Sequence, residues 1–551
     1  PDVLCFSCYI WNIDYVTDIA REYKKLCPSV PIWVGGPEVS YEVEAFLREN
    51  PYIDGVMIGE GEDTFRELCG YYAHKRKLSD IAGIAFRKNS TGNSTSVNNI
   101  GGNKAGEIVF TSPRPIKNMS EIPFCYDTLD DFSNRIIYYE SSRGCPFSCS
   151  YCLSSVDKTL RFRDTEIVKR ELKFFIDQKV PQIKFVDRTF NCNHAHAMEL
   201  WRFIKANDNG VTNFHFEISA DLLNQEELEL ISDMRPGLIQ LEIGVQSTNE
   251  VTIKEIHRTM KLERLKEVVR LIQSGNNIHE HLDLIAGLPY EDYDSFGRSF
   301  DEIYELKPNQ LQLGFLKVLK GSYMFEHAAE YGIVYHDKPP YEVMSTKWLS
   351  FDDVIKIKRV EDMLEVYYNS GQFEITMKLM ECIFDSAFEF FQELGDFYEA
   401  NGYFGMSHSR IRRCEILLEF LALYLHGCDN DAMTSVVLSV NAGDRDNTDF
   451  DENAQIYKMI QESLIFDLYY RENCKSRPRW ATDIGSFKHM THAYCKNGKL
   501  SHVEPFHYIF PDKHTRKLDE LPKYHKEPVW ALFHYDMRDP LDHQALVEYI
   551  E

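Results

Sequence analysis

The chain has 551 residues, 44% hydrophobic and 27% charged, a balance that fits a folded protein of several domains, because single cores stop growing well below that length. Its 61 basic and 86 acidic side chains leave a net charge of −25, which argues against nucleic acid as a partner unless a local basic patch exists, and none stands out. No apolar run reaches the roughly 18–20 residues of a membrane helix, no signal peptide opens the chain, and 14 cysteines are too dilute for a disulfide scaffold, so a cytoplasmic protein away from membranes is expected.

The first strand is predicted in Asp2-Val-Leu-Cys-Phe-Ser-Cys-Tyr-Ile, followed by a helix on the spacing of Val16, Ile19, Ala20, Tyr23 and Leu26. Pro31-Ile-Trp-Val-Gly-Gly-Pro-Glu is the next strand and turn, and Gly55-Val-Met-Ile-Gly-Glu-Gly-Glu the third. This alternation predicts a parallel α/β domain over residues 1–80, with Ser7, Gly35, Gly36, Gly59 and Gly61 just past strand C-termini, the edge where such sheets bind ligands. On physics alone, tight turns are the favoured reading of those glycines. Residues 81–132 read as a hairpin with a Ser/Asn/Gly-rich tip (89–106) and a Pro- and Asp-rich linker.

A strand near Ile136–Glu140 then runs into Ser141-Ser-Arg-Gly-Cys145-Pro-Phe-Ser-Cys149-Ser-Tyr-Cys152, a C-x3-C-x2-C run on one bent loop. Three close thiols suit three corners of an iron–sulfur cubane, with one iron left open for chemistry. Buried structural thiols or a zinc knuckle are the alternatives, and no second Cys/His pair follows to complete a zinc site. Further strands are predicted near Ile183–Asp187, Phe214–Ser219, Leu238–Val245, Ile278–Ala286 and Gln310–Leu316, with helices between them. Six such units over 133–325 make a partial (β/α)6 TIM-like barrel, whose chemistry belongs at the strand C-termini.

Residues 326–430 are predicted to be a helical domain, with an N-cap signal at Ser350 and Asp353. An acidic linker region is expected over 431–479, and a strand-rich tail over 480–551 around a Lys496-Asn-Gly-Lys499 hairpin turn. His489, His492 and Cys495 could suggest a metal site, but on a strand His492 would face away from the other two.

The cysteine run, with Tyr151 before its third cysteine, resembles the radical S-adenosylmethionine (SAM) signature. That resemblance implies a [4Fe–4S] cluster on Cys145, Cys149 and Cys152, reductive cleavage of SAM to a 5′-deoxyadenosyl radical, and an electron donor such as flavodoxin or ferredoxin. It further implies SAM contacts from Tyr151, Asp187, Glu242, Gln246, Arg258 and Asp283. Phe-Ser-Cys-Tyr-Ile-Trp-Asn, Val-Gly-Gly-Pro-Glu and Gly-Glu-Gly-Glu-Asp resemble the later half of the Rossmann-like cobalamin-binding domain that precedes many radical SAM domains. The implied cobalamin residues are Ser7, Gly35, Gly36, Gly59, Glu60 and Gly61. The family domain has two further strands in front, and the chain begins at Pro1, so a truncated domain and a fragmentary sequence are expected; no Asp-x-His-x-x-Gly ligand motif is visible. The C-terminal part resembles the uncharacterised extension of one cobalamin-linked radical SAM subgroup. The expected function is a cobalamin-dependent radical SAM enzyme that methylates or rearranges an unidentified substrate. A tRNA methylthiotransferase-like enzyme and a non-catalytic cobalamin or SAM sensor are the rival readings; Cys5, Cys8, Cys27 and Cys69 do not reproduce the extra cluster cysteines of the former.

Overall fold

The structure is a computed structural model, and it describes residues 1–88, 106–132, 135–426, 452–495, 500–511, 515, 517–518 and 520–550. The N-terminal unit is a five-stranded sheet of β1 (Leu4–Ser7), β2 (Ile32–Gly35), β3 (Gly55–Met57), β4 (Ile84–Lys88) and β5 (Glu107–Phe110), in that order. The first three strands are parallel and the last two antiparallel. Every residue of β2 is buried, as expected of a strand covered on both faces by the crossover helices α1 (Ile13–Leu26), α2 (Val43–Glu49) and α3 (Gly61–Tyr72). The buried stripe of α1 is Ile13, Val16 and Ala20; Ile19 and Leu26, predicted to share it, lie on its flank and are exposed. β1 is an edge strand. Most of the tip predicted between β4 and β5 lies outside the described residues.

The second unit is a six-stranded, all-parallel partial barrel of β6 (Ile137–Tyr139), β9 (Gln182–Phe185), β10 (Asn213–Ile218), β11 (Ile239–Gln246), β12 (His279–Ala286) and β13 (Gln310–Phe315). Between β6 and β9 a two-residue antiparallel ladder, β7 (Ser142–Arg143) with β8 (Arg161–Phe162), closes the neck of the cysteine loop. The crossover helices are α4 (Thr165–Asp177), α5 (His194–Ala206), α6 (Gln225–Ser232), α7 (Glu250–Glu255), α8 (Leu262–Ser274) and α9 (Tyr293–Tyr304). Asp164, Asn193, Asn224, Asn249 and Asp292 cap five of these helices with side-chain oxygens, which fixes where each begins. Burial alternates strictly along β11 and β12. Ile239, Leu241, Ile243 and Val245 pack outward in the core shared with the helices, and the polar residues between them line the concave side.

After α10 (Tyr323–His327) and the short ladder β14 (Val334–Tyr335) with β15 (Val343–Ser345), the C-terminal region is built on α11 (Phe351–Leu364), α12 (Glu374–Ile383), α13 (Ala387–Ala400), α14 (Arg410–His426) and α15 (Glu452–Arg471). Ser350 and Asp353 make the predicted cap as a full capping box. Phe388 of α13 packs on Phe296 and Phe300 of α9, and Asp301 accepts from Ser386 Oγ and the Phe388 amide, so this region docks on the barrel's outer wall.

Two expectations for this part are corrected. Residues 452–471, assigned to an acidic linker, form α15, a helix buried through Tyr457, Leu464, Phe466 and Tyr470. Its apolar residues run round the helix rather than down one side, so it carries no amphipathic stripe to read. His489 and His492 lie on a short helix, α16 (Lys488–Tyr494), so the strand alternation invoked for them does not apply, and at i, i+3 they share a face. The Lys496–Lys499 turn lies outside the described residues. The tail ends in an antiparallel sheet of β16 (Ser501–Phe506), β17 (Val529–Arg538) and β18 (Ala545–Ile550).

Candidate functional site

The cysteine loop leaves β6 at the C-terminal mouth of the barrel, and backbone chemistry explains its path. Gly144 has φ +91°, and a Cβ there would meet the Thr159 carbonyl oxygen at 2.5 Å, so only glycine fits between the β7–β8 ladder and the first cysteine. The Ser150 amide donates to the Ile256 carbonyl (2.9 Å) and its own carbonyl accepts from the Met324 amide (2.9 Å), which ties the loop's middle to two other elements. Cys145 and Cys149 are buried and Cys152 is partly exposed. Among the described residues, no three His, Cys, Asp or Glu side chains converge on a single ion, and the three cysteines are no exception. In a cubane each thiolate takes a different iron, so convergence on one point is not what such a cluster requires. A cation also stands beside the loop: Arg258 Nη1 lies 3.9 Å from Cys149 Sγ.

Arg258 is the link between the loop and the strands. Its Nη1 also reaches the Tyr151 hydroxyl (3.3 Å), Nη2 donates to the Gly244 carbonyl, and Nε is buried without a partner. Gln246, at the end of β11, has φ +76° where the register with β12 slips, and its buried Oε1 has no partner. On the next strand Asp283 Oδ1 is also buried and unpartnered; burial, then Glu242 and Glu217, push its carboxyl up to about 8. Glu242 differs, for His215 Nε2 at 2.9 Å, an ion-pair distance without hydrogen-bond alignment, and Lys184 Nζ at 2.8 Å hold it down to about 2. Tyr151, Gln246 and Arg258 thus gather at the cysteine loop, while Glu242 and Asp283 sit on the concave wall leading from it.

Asp187 does not join them. It is fully buried beneath the loop, where its two oxygens accept from the Ser141 amide (2.9 Å), Ser141 Oγ (2.7 Å) and Ser142 Oγ (2.6 Å). It buttresses the strand that delivers the cysteines and has no face left for a SAM amino group. Sequence reasoning missed Lys184, His215, Glu217, Gln240, His279 and His281 on the same wall; the signal was the every-second-residue polar pattern in Asn-Phe-His-Phe-Glu and His-Glu-His-Leu-Asp.

At the sheet edge of the N-terminal unit, Ser7 and Gly35 end β1 and β2, Gly36 turns with φ +110° against the Cys8 carbonyl, and Gly59 and Gly61 face open space. Beside them Tyr9 and Trp11 stack at 4.5 Å, with Trp11 exposed, an aromatic platform the sequence reading did not single out. Gly59, Gly61 and the exposed Trp11 thus leave this edge open to an occupant. Glu60 is the exception: it is paired with Arg143 (3.3 Å) and Arg161 (2.7 Å) and accepts from the Lys117 amide, so it faces the cysteine loop instead of the open edge. Arg143 also holds Glu62 at 2.8 Å, and Tyr341 donates to Glu38 across the same junction. Ion pairs thus bolt the glycine edge and the cysteine loop together.

Comparison with known proteins divides the chain in the same way. Residues 1–69 match the B12 binding domain, residues 139–303 the radical SAM superfamily, and residues 329–544 a family described as a protein of unknown function (DUF4080). The chain is 27% identical over 328 residues to the cobalamin-dependent radical SAM methyltransferase TokK of Streptomyces tokunonensis, covering 55% of this chain and 45% of TokK. It is 24% identical over 280 residues to a hopanoid C-3 methylase of Methylococcus capsulatus, covering 50% of this chain and 51% of that protein. The chain therefore spans about half the length of these relatives. Among solved structures, the cobalamin-dependent SAM radical enzyme OxsB with aqua-cobalamin bound aligns at a TM-score of 0.51 and 16% identity, covering 86% of this chain and 73% of OxsB, a likeness of fold. The cofactors that go with these two domains are a [4Fe–4S] cluster, SAM and cobalamin. Along the chain, then, a match to the B12 binding domain precedes the match to the radical SAM superfamily, and a match to DUF4080 follows it.

Proposed function

We propose that this protein is a cobalamin-dependent radical SAM enzyme that methylates an as yet unidentified substrate in a reducing, cytoplasmic setting. When bound, the reduced cluster would supply the electron that cleaves SAM, and cobalamin would carry the methyl group. In this reading Cys145, Cys149 and Cys152 hold three irons. Arg258 receives the SAM carboxylate through the guanidinium edge that carries its unpartnered Nε, a geometry guanidinium favours. Gln246 and Asp283 offer hydrogen-bonding capacity to the bound nucleoside, and Asp283, protonated near neutrality, can donate. Ser7, Gly35, Gly36, Gly59 and Gly61, with Tyr9 and Trp11, would seat cobalamin at the open edge. Asp187 and Glu60 have positioning roles through the cysteine loop. A reductant of flavodoxin or ferredoxin type completes the proposal.

The observation that carries it is the three-cysteine loop held over a partial barrel mouth by one partly buried arginine, Arg258, and clasped to the glycine edge by Arg143. Low-temperature electron paramagnetic resonance tests it. The anaerobically reconstituted and reduced protein should give a [4Fe–4S]⁺ signal that shifts on addition of SAM; a cluster-loaded protein whose signal ignores SAM contradicts the reading. Cys149→Ala should lose most of its cluster iron.

A further inference from the structure

A cavity of about 360 Å³ lies at the opposite end of the barrel from the cysteines. Its roof is the N-terminal end of β12, with His279, and the turn after α9, with Lys307. Its floor comes from the C-terminal region, from α12 and from the 539–544 loop between β17 and β18. The volume falls in the range of small-molecule sites.

The walls carry two internally neutralised pairs, Lys378 with Glu374 (3.0 Å) and Lys307 with Glu381 (2.6 Å). What they leave open is specific. Gln544 is 2% exposed; its Nε2 donates to Glu374, which fixes the amide's orientation, and its buried Oε1 is left with no partner. His279 Nδ1 is buried and unpartnered as well. An amide oxygen can only accept, so an occupant that reaches it must donate a hydrogen bond there, and an acceptor this deep is costly to leave unmet. Formal charge agrees: with Arg471 the lining holds three basic groups, and with Asp539 and Asp542 four acidic ones, a balance of −1.

We propose that this cavity binds a small amine, its ammonium donating to Gln544 Oε1 and its carbon chain against Met377 and Ile278. This gives the DUF4080 region a ligand-binding role formed jointly with the barrel base, and it stands independently of the SAM chemistry at the other end. The test is isothermal titration calorimetry of the full chain with n-butylammonium and, as its anionic counterpart, butyrate. Saturable binding of the ammonium, no comparable binding of butyrate, and at least tenfold weakening in Gln544→Leu are expected. Hydrogen exchange on the unmutated protein decides the location even if that variant does not fold: butylammonium should slow exchange in 539–544 and at the start of α12. No saturable binding, butyrate bound as tightly as the amine, or protection confined to other segments overturns the proposal.

Discussion

Arg258 is the residue on which the site's geometry turns, because one partly buried guanidinium touches the second cysteine, the aromatic residue of the motif and the backbone of β11. Arg258→Lys keeps a charge but loses the planar fork, so SAM affinity should fall at least tenfold while cluster content stays near that of the unmutated protein, measured by equilibrium binding and iron analysis. The motif residues were legible because chemistry dictates their spacing. Asp187 and Glu60 were misread because each sits at a strand end, where a ligand-binding and a loop-supporting carboxylate look alike; only their burial and partners separate them. Removing the Asp187 acceptor leaves the buried Ser142 hydroxyl and the Ser141 amide without the partner they donate to, while Ser141 Oγ keeps His196 Nε2 at 3.0 Å, so Asp187→Ala should destabilise the fold by about 1–3 kcal/mol in denaturant unfolding. Asp283 carries a pH signature. Its folded carboxyl titrates near 8 against an ordinary 3.8, so between those values the native state holds a proton that the unfolded chain has lost. Its contribution to stability therefore falls as pH rises from about 4 to about 8 and levels off above. Asp283→Asn should flatten that part of the melting-temperature profile; an unchanged slope contradicts the assignment.

At the scale of elements, hydrophobic alternation and caps made the barrel readable: β11 packs alternate apolar residues outward with its polar residues on the wall, and β12 follows with Leu282, Leu284 and Ala286 outward and His279, His281 and Asp283 on the wall. The same pattern fails for α15, which is buried on all sides and lies beyond an Asn- and Asp-rich stretch that coloured its neighbours as linker. α16 failed for another reason, since seven residues are too few for a period to declare itself. The cysteine loop is the element most exposed to a single change. Gly144→Ala forces a Cβ onto the Thr159 carbonyl in a left-handed conformation, and should cost more than about 1 kcal/mol and lower cluster retention together, read by thermal unfolding and iron content.

For the whole molecule, the arrangement is a glycine edge and a cysteine loop joined by ion pairs, with a third unit under the barrel. Arg143 and Arg161 draw Glu60 and Glu62 of the glycine edge onto the cysteine loop, so the N-terminal unit and the barrel meet at the functional end. None of these contacts was visible in sequence, because they join residues about 80 positions or more apart through charges that each look like ordinary surface. The central claim, that the loop carries a cluster which opens SAM, is tested most directly by one measurement. Anaerobically cluster-loaded protein given dithionite and SAM should release 5′-deoxyadenosine, detected by liquid chromatography and mass spectrometry, and Cys149→Ala should release none above background. Cluster-loaded protein that leaves SAM intact, or a Cys149→Ala chain that cleaves it equally well, would contradict the account.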